Sequence, residues 1–220
     1  MNAEPLRTQN RRAKERRILD AGLSVFAADG YSGASMDAIA AKAAVSKPTL
    51  YQYFGGKEAL FSAIMLEQRD AMAGVLDHPS DSMVADLLHF ASTYAAVVMR
   101  PDMLSLARLI IGEAQRFPEI GQAYQASGPD RLLARIMAYL TRRRAEGRLN
   151  FDDAELAAQD LWGLILSAPR TQALYRPDAI PDHAAIARYV LNGLSVFLRA
   201  YAAAPKDDLA ELTARTKGDP

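Results

Sequence analysis

Ile18, Ala21, Gly22, Val25 and Phe26 stand at i, i+3, i+4, i+7 and i+8, which is one stripe of a helix and not one face of a strand. Apolar residues keep to helical spacing along the chain, alanine and leucine are abundant, and strand-like alternation of β-branched residues is nearly absent. The 220 residues therefore read as all-α. That length allows one domain, or two small ones sharing a core. No solenoid-length repeat is present, and no low-complexity tract beyond alanine richness.

Capping residues and helix breakers divide the chain. The spacing predicts a first helix from about Arg11 to Ala28, ended by Asp29-Gly30 with glycine in a left-handed cap. Ser35 is a good N-cap for a second, short helix, with Asp37 in its first turn and Met36, Ile39, Ala40 and Ala43 on its buried face. A tight turn at Ala43-Ala44-Val45 follows, then Ser46 caps a third helix, roughly Lys47 to Phe54, broken by Gly55-Gly56. A long fourth helix starts near Lys57. "HPSDS" (78–82), Arg100-Pro101 and Phe117-Pro118 separate the next ones, and the seventh helix is broken at "SGPD" (127–130) before running to about Ala145. An eighth is expected from about Ala154 to Ser167, a proline-rich connection over 168–182, and a ninth from about His183 to Ala203. The tail "PKDDLAELTARTKGDP" is polar and expected to fray.

The formal net charge is zero, but it is unevenly spread. Residues 1–60 carry nine Lys/Arg against six Asp/Glu, and residues 61–220 carry 17 against 20. Arg7, Arg11, Arg12, Lys14, Arg16 and Arg17 make a basic arm, which suits either a polyanion partner or a solvated tail. The absence of cysteine excludes disulfides and thiolate metal sites and suits a reducing cytoplasm. The basic start of the chain has no apolar run behind it, as a secretory signal would, and no run approaches the roughly 18 apolar residues of a membrane helix. No membrane partner is expected.

The third helix has more polar residues than its packing explains. Val45 and Leu50 have the spacing of a hydrophobic staple, Pro48 falls in the first turn, and Leu50 and Phe54 share a face that docks on the first two helices. Lys47, Thr49, Tyr51, Gln52 and Tyr53 are left over. They carry hydroxyls, an amide and an ammonium on partly apolar bodies, groups that hydrogen-bond phosphates and base edges. Each tyrosine alone fits a partly buried core position equally well. Lys57 opposes the macrodipole at the start of the fourth helix, a sign that an anion beside that helix end would reverse. Two short helices joined by a tight turn, the second with a polar exposed face, have helix-turn-helix geometry.

"ILDAGLSVFAADGYSGASMDAIAAKAAVSKPTLYQYFGGKEALF" resembles the DNA-binding domain of the TetR/AcrR family of bacterial one-component regulators, over about Arg16 to Phe61. Ser35 opens the second helix, Ile39-Ala40 lies within it, Leu50 to Phe54 matches the family's "LYxYF", and Lys57 opens the fourth helix. The resemblance implies that Lys47, Pro48, Thr49, Tyr51 and Gln52 face bases or the groove, that Ser35, Tyr53 and Lys57 face phosphates, and that Ser46 belongs to the same DNA-binding set. Two positions depart from the pattern. Ala44 stands where glycine is common, so the turn must avoid a positive φ or accept strain, and Gly56 stands where serine commonly caps the fourth helix. Residues 106–165 resemble, more weakly, the AefR-like C-terminal domains of part of that family.

Domain boundaries are expected at 1–56 for the basic arm and the DNA-binding domain, 57–205 for a helical effector-binding and dimerisation domain, and 206–220 for the tail. Dimer candidates on the eighth and ninth helices are Leu161, Leu164, Ile165, Val190, Leu194 and Phe197, with Ala158, Gly163 and Gly193 allowing close approach. These stripes would serve equally for one intramolecular core, and only the resemblance implies a four-helix bundle across a homodimer. Helices four to eight would then enclose a small-molecule effector. Met65, Phe90, Tyr94, Met103, Leu106, Ile110, Phe117, Tyr124, Met137 and Trp162 are candidate lining residues, each also an ordinary core residue. Glu113, Arg116 and Arg108 are possible polar anchors, with surface ion pairing the plainer role. "TRRRAEG" (141–147) reads as solvated charge at a helix C-terminus.

No P-loop, G-x-S-x-G elbow or H-E-x-x-H is present, and His78, His89 and His183 are scattered. No enzyme activity, cofactor or metal is expected. The reading is a cytoplasmic, homodimeric, ligand-responsive regulator that binds a duplex operator, most simply a repressor. A helical protein-binding or enzymatic module whose helix-turn-helix no longer reads DNA is the alternative.

Overall fold

A computed structural model describes residues 6–216, with the side chains of residues 6, 7, 68–73 and 167 outside the description. Arg7 of the basic arm is therefore among the side chains not described. The described residues form eleven helices: α1 Leu6–Gly33, α2 Met36–Lys42, α3 Lys47–Phe54, α4 Lys57–Asp77, α5 Met83–Val98, α6 Pro101–Glu113, α7 Pro118–Ser127, α8 Pro129–Ala145, α9 Ala154–Tyr175, α10 His183–Tyr201 and α11 Pro205–Thr216. The all-α expectation holds. Among the described residues the one β-type pairing is an isolated bridge between Leu149 and Ala202.

The helix starts follow the capping chemistry. Ser35, Ser46, Ser82 and Asp182 each accept a hydrogen bond from an amide three residues on, and Asp153 accepts from Glu155 and Leu156. Gly30, at φ 75°, breaks α1 where the sequence placed its end.

Three expectations are corrected. The first helix starts at Leu6 and not near Arg11, so the basic arm is helical from that residue on. The seventh predicted helix is broken within "SGPD" as expected, into α7 and α8, because Pro129 lacks an amide donor and restricts the residue before it. The eighth predicted helix does not stop before the prolines. α9 runs to Tyr175 with Pro169 inside it and bends at Leu166, where φ is −148°. Proline cannot bond to the carbonyl four residues back and its ring crowds that carbonyl, so the helix bends instead of ending. The tail is helical as far as Thr216. Asp208 and Leu212 of α11 are buried, Arg148 meets Asp208 at 2.9 Å, and Ser82 donates to Glu211.

The chain forms two compact units. The first gathers α1–α3, the start of α4, α6 and α7, and the second gathers the rest of α4, α5 and α8–α11. The backbone passes between them after residues 68, 100 and 128. In the first unit the predicted stripe of α1 and the buried face of α2 join Leu50, Leu60, Phe61, Ile64, Leu106, Ile110 and Ile120 in one apolar core. Phe26, Tyr31 and Phe61 lie within 5.7 Å of one another, centroid to centroid, with Phe61 edge-on to the other two. At Gly22 a Cβ would come within 2.9 Å of Ile64 Cδ1, so glycine lets α4 approach α1.

The second unit is built on charge as well as apolar packing. Arg143, expected to be solvated with its neighbours, is buried. It lies on the face of α8 that carries Ile136, Tyr139 and Leu140, so helical periodicity turns it inward. Its guanidinium meets Asp86 of α5 at 2.7 Å and Glu146 at 2.7 Å. Tyr139 donates to Asp86 at 3.0 Å, and the Ser80 hydroxyl donates to it at 2.7 Å. Arg142 and Arg144 are exposed as expected.

Candidate nucleic-acid interface and ligand cavity

The two short helices α2 and α3 are held from both ends. Ser35 caps α2 through Ala38 N at 3.1 Å, and Met36, Ile39 and Ala40 anchor it in the core. The chain then turns through Ala44 at φ 52°, a left-handed conformation that costs an L-residue roughly 1–2 kcal/mol. The turn thus accepts strain. Two hydrogen bonds fasten it, from Ala44 N to Ala41 O at 3.1 Å and from Val45 N to Ala40 O at 3.0 Å. Ser46 caps α3 through Thr49 N at 3.3 Å, and its hydroxyl lies 2.8 Å from that of Thr49. Leu50 is fully buried, Val45 and Phe54 pack on the same core, and Gly55 at φ 71° ends the helix.

With that face buried, Lys47, Pro48, Tyr51 and Gln52 are exposed, Tyr51 by 42% of its surface. Thr49 and Tyr53 are half-buried, and Tyr53 has the Arg11 guanidinium 6.0 Å above its ring. Lys47 pairs with Asp37 at 3.0 Å, and the hydrogen bond and charge of Asp37 hold its ammonium pKa above the ordinary value. Both partners are exposed, so a phosphate can replace Asp37 at small cost. Ser35 is exposed.

Lys57 has more to do inside the fold than its sequence position indicates. Its ammonium donates to the carbonyls of Tyr31 at 2.8 Å and Ala34 at 3.1 Å, and it sits 4.5 Å above the Tyr31 ring. It fastens the start of α4 to the end of α1. The Tyr31 phenol is pushed up by burial and then by Glu58 and Glu119. Of the other arm residues, Arg16 reaches Glu67 at 2.8 Å and Asp20 at 3.4 Å, while Arg12 and Arg17 are exposed.

The ten candidate pocket residues divide between the units. Met65, Leu106 and Ile110 are in the core of the first unit, with Met103, Phe117 and Tyr124 packed against it. Phe90 is buried in the second unit, 6.1 Å from the Tyr94 ring, and Met137 is half-buried on α8. Tyr94 and Trp162 meet edge to face at 6.3 Å and line a cavity of about 270 Å³. Gln159, Leu166 and Arg170 of α9 line it too, and all three were missed in the sequence. A proline inside a helical repeat was the signal for a bend there. Arg116 lies over Phe117 at 5.2 Å, and Arg108 hydrogen-bonds Ser105 at 3.0 Å. Glu113 accepts from Ser32 at 3.5 Å.

Five of the six candidate dimer residues, Leu161, Ile165, Val190, Leu194 and Phe197, are buried within the single chain, and Leu164 is exposed. α9 and α10 approach so closely at Gly193 that a Cβ there would collide with the Leu164 carbonyl and lie 3.2 Å from Ile165 Cα. Among the described side chains, the large apolar residues these two helices leave exposed are Leu156, Leu164, Tyr175 and Val196.

Residues 18–64 match the sequence profile of the bacterial regulatory proteins of the tetR family, and residues 85–203 match that of the AefR-like transcriptional repressor C-terminal domain. The HTH-type transcriptional regulator UidR of Escherichia coli K12 is 33% identical over 128 residues, 54% of this chain and 56% of UidR. The chain thus spans about half the length of the curated relatives it matches. A TetR-family regulator from Mesorhizobium loti is similar in structure, with TM-score 0.75 and 31% identity over 87% of this chain and 98% of that one. A flavonoid-responsive regulator, FrrA, is similar over 87% of this chain and 98% of its own, at 30% identity and TM-score 0.65. Among the described residues no helix is long and apolar enough to cross a membrane.

Proposed function

The chain belongs to the TetR family of bacterial transcriptional regulators, with an AefR-like C-terminal domain, and from that premise we propose that it is a cytoplasmic, homodimeric, ligand-responsive repressor. The observation that carries the proposal is the exposed face of α3. Lys47, Pro48, Tyr51 and Gln52 face outward on a helix whose other side is locked into an apolar core. Such a helix enters the major groove with its hydroxyls, amide and ammonium against base edges and phosphates. Ser46 and Thr49 open the same helix, Tyr53 lies in its last turn, and Ser35 caps α2 before it. The first-turn amides of α4, which an α-helix leaves without intrahelical partners, receive a phosphate, and Lys57 holds that turn in place.

Two such heads on a two-fold dimer would meet half-sites about 34–36 Å apart. Leu156, Leu164 and Val196 on α9 and α10 offer the apolar surface for the partner copy. An effector in the second unit would act through the three chain passages into the first, of which α4 is one. It would shift the population of head spacings away from the one the duplex requires. FrrA, of similar fold, is described as flavonoid-responsive, which supports a small apolar or amphipathic effector.

The test is a titration of the protein against the duplex upstream of its own coding sequence, beside a scrambled duplex, at two salt concentrations. Sequence-specific binding with dimer stoichiometry that weakens as salt rises is expected. Tyr51→Ala with Gln52→Ala should lose specific binding at unchanged thermal midpoint. Lys57 is unsuited to this test, because its loss would also disturb the fold. Specific binding that survives the double change would sink the docking of α3.

A further inference from the structure

The cavity between α5 and α9 contains a buried donor that the fold leaves without a partner. Arg170 lines it, and its Nε is shut off from solvent without a hydrogen-bond partner. A buried donor without a partner costs free energy. None of the cavity's lining residues is acidic. The other walls are of a different character. Trp162 and Tyr94 present aromatic surfaces set at 81° to one another, Leu166 adds an aliphatic one, and Gln159 an amide.

The bend in α9 lies in the wall of the cavity. Trp162, Leu166 and Arg170 follow at four-residue intervals, one face of a straight helix, and the non-helical Leu166 stands in the middle of them. The cavity therefore joins an aromatic wall to a cationic end. Its volume, about 270 Å³, falls just below the roughly 300–1,000 Å³ of ligand pockets, room for one or two rings and no more.

We infer that this cavity binds a small planar aromatic carboxylate, with the carboxylate on Arg170 and the ring against Trp162 and Tyr94. A carboxylate accepts from the guanidinium fork in matched geometry and supplies the missing partner. An aromatic ring gains edge or face contacts from two walls at a wide angle. The inference rests on the effector reading above only for its consequence, which is that binding at the bend of α9 is the event that releases DNA.

Trp162 is the single tryptophan of the chain, so its fluorescence reports the cavity directly. The probes are benzoate and its neutral counterpart benzamide, titrated into the full chain. Benzoate should change the emission saturably, and benzamide should bind about tenfold or more weakly, as loss of a charge-assisted hydrogen bond implies. Arg170→Met should erase the preference while leaving the thermal midpoint unchanged or raised, since it removes a buried donor that has no partner. A merely structural arginine would lower that midpoint. Arg170→Lys should keep part of the preference. Equal binding of the two probes, no saturable response to benzoate, or an unchanged preference in Arg170→Met overturns the assignment. Repeating the benzoate titration on the protein–operator complex separates the two readings. Benzoate that binds at Trp162 yet leaves the complex intact supports the cavity assignment and removes its regulatory consequence.

Discussion

The two units solve the same problem, holding short amphipathic helices in place, with different materials. The first has a core of aliphatic and aromatic side chains, with one lysine fastening helix ends through backbone carbonyls. The second buries Asp86 and Arg143 against each other and brings two helix backbones together at Gly193. In the first unit stability is spread over many replaceable contacts. In the second it is concentrated in groups that tolerate no single change, because a half-broken buried ion pair and a backbone collision have no cheap relaxation.

Breaking the second unit should therefore cost most. Arg143→Met leaves Asp86 buried without its cation and should lower stability by about 3–5 kcal/mol in denaturant unfolding. Replacing both, Asp86→Leu with Arg143→Met, should recover much of that loss, and a double variant no better than the single would show that the hydrogen-bonded network, not the charge, matters. Gly193→Ala should cost about 3 kcal/mol, because the colliding atom is the Leu164 backbone oxygen and not a side chain that can move. A thermal midpoint unchanged by this substitution would mean that α10 is free to slide.

The pH response sharpens the contrast. Burial by itself would raise the Asp86 carboxyl, but hydrogen bonds from Ser80, Arg143 and Tyr139 outweigh it and hold the pKa below the ordinary value. A carboxylate held lower in the folded state stabilises the fold above its unfolded pKa, and that contribution is lost as pH falls through the folded value. Stability should accordingly drop below about pH 4. Asp86→Asn should flatten that part of the curve, and an identical acid limb in the variant would assign the loss to other carboxylates.

The first unit should respond more mildly. Lys57→Met removes two hydrogen bonds to carbonyls and should cost about 1–2 kcal/mol. The smallest effect has the opposite sign. Ala44→Gly relieves a left-handed φ of 52° and should stabilise by about 0.5–1 kcal/mol, after the larger backbone entropy of glycine in the unfolded chain is set against it. A destabilised Ala44→Gly would mean that the alanine methyl packs usefully in the turn.

The first unit was also the more legible. The caps Ser35 and Ser46, the stripe from Ile18 to Phe26 and the glycine stops at Gly30 and Gly55 all act within a few residues of themselves, and the structure carries each of them. The exposed set on α3 was legible for the same reason, since Leu50 leaves Lys47, Tyr51 and Gln52 on the other side. Lys57 was only half legible. Its position at the start of α4 was plain, but the carbonyls it meets lie 26 and 23 residues earlier.

The amino-acid sequence by itself determined the helical class, most helix starts, the helix-turn-helix and the face that α3 exposes, because helical period and capping are local properties of the chain. Tertiary structure alone decided that Arg143 turns inward to a carboxylate 57 residues away, that α9 bends and continues at Pro169 instead of stopping, that residues 205–216 dock as a helix, and that Trp162 and Arg170 share one cavity with Tyr94. Each of those outcomes depends on a partner distant in sequence, and periodicity carries no information about which distant group will be there to satisfy a charge, cover a helix face or leave a guanidinium waiting.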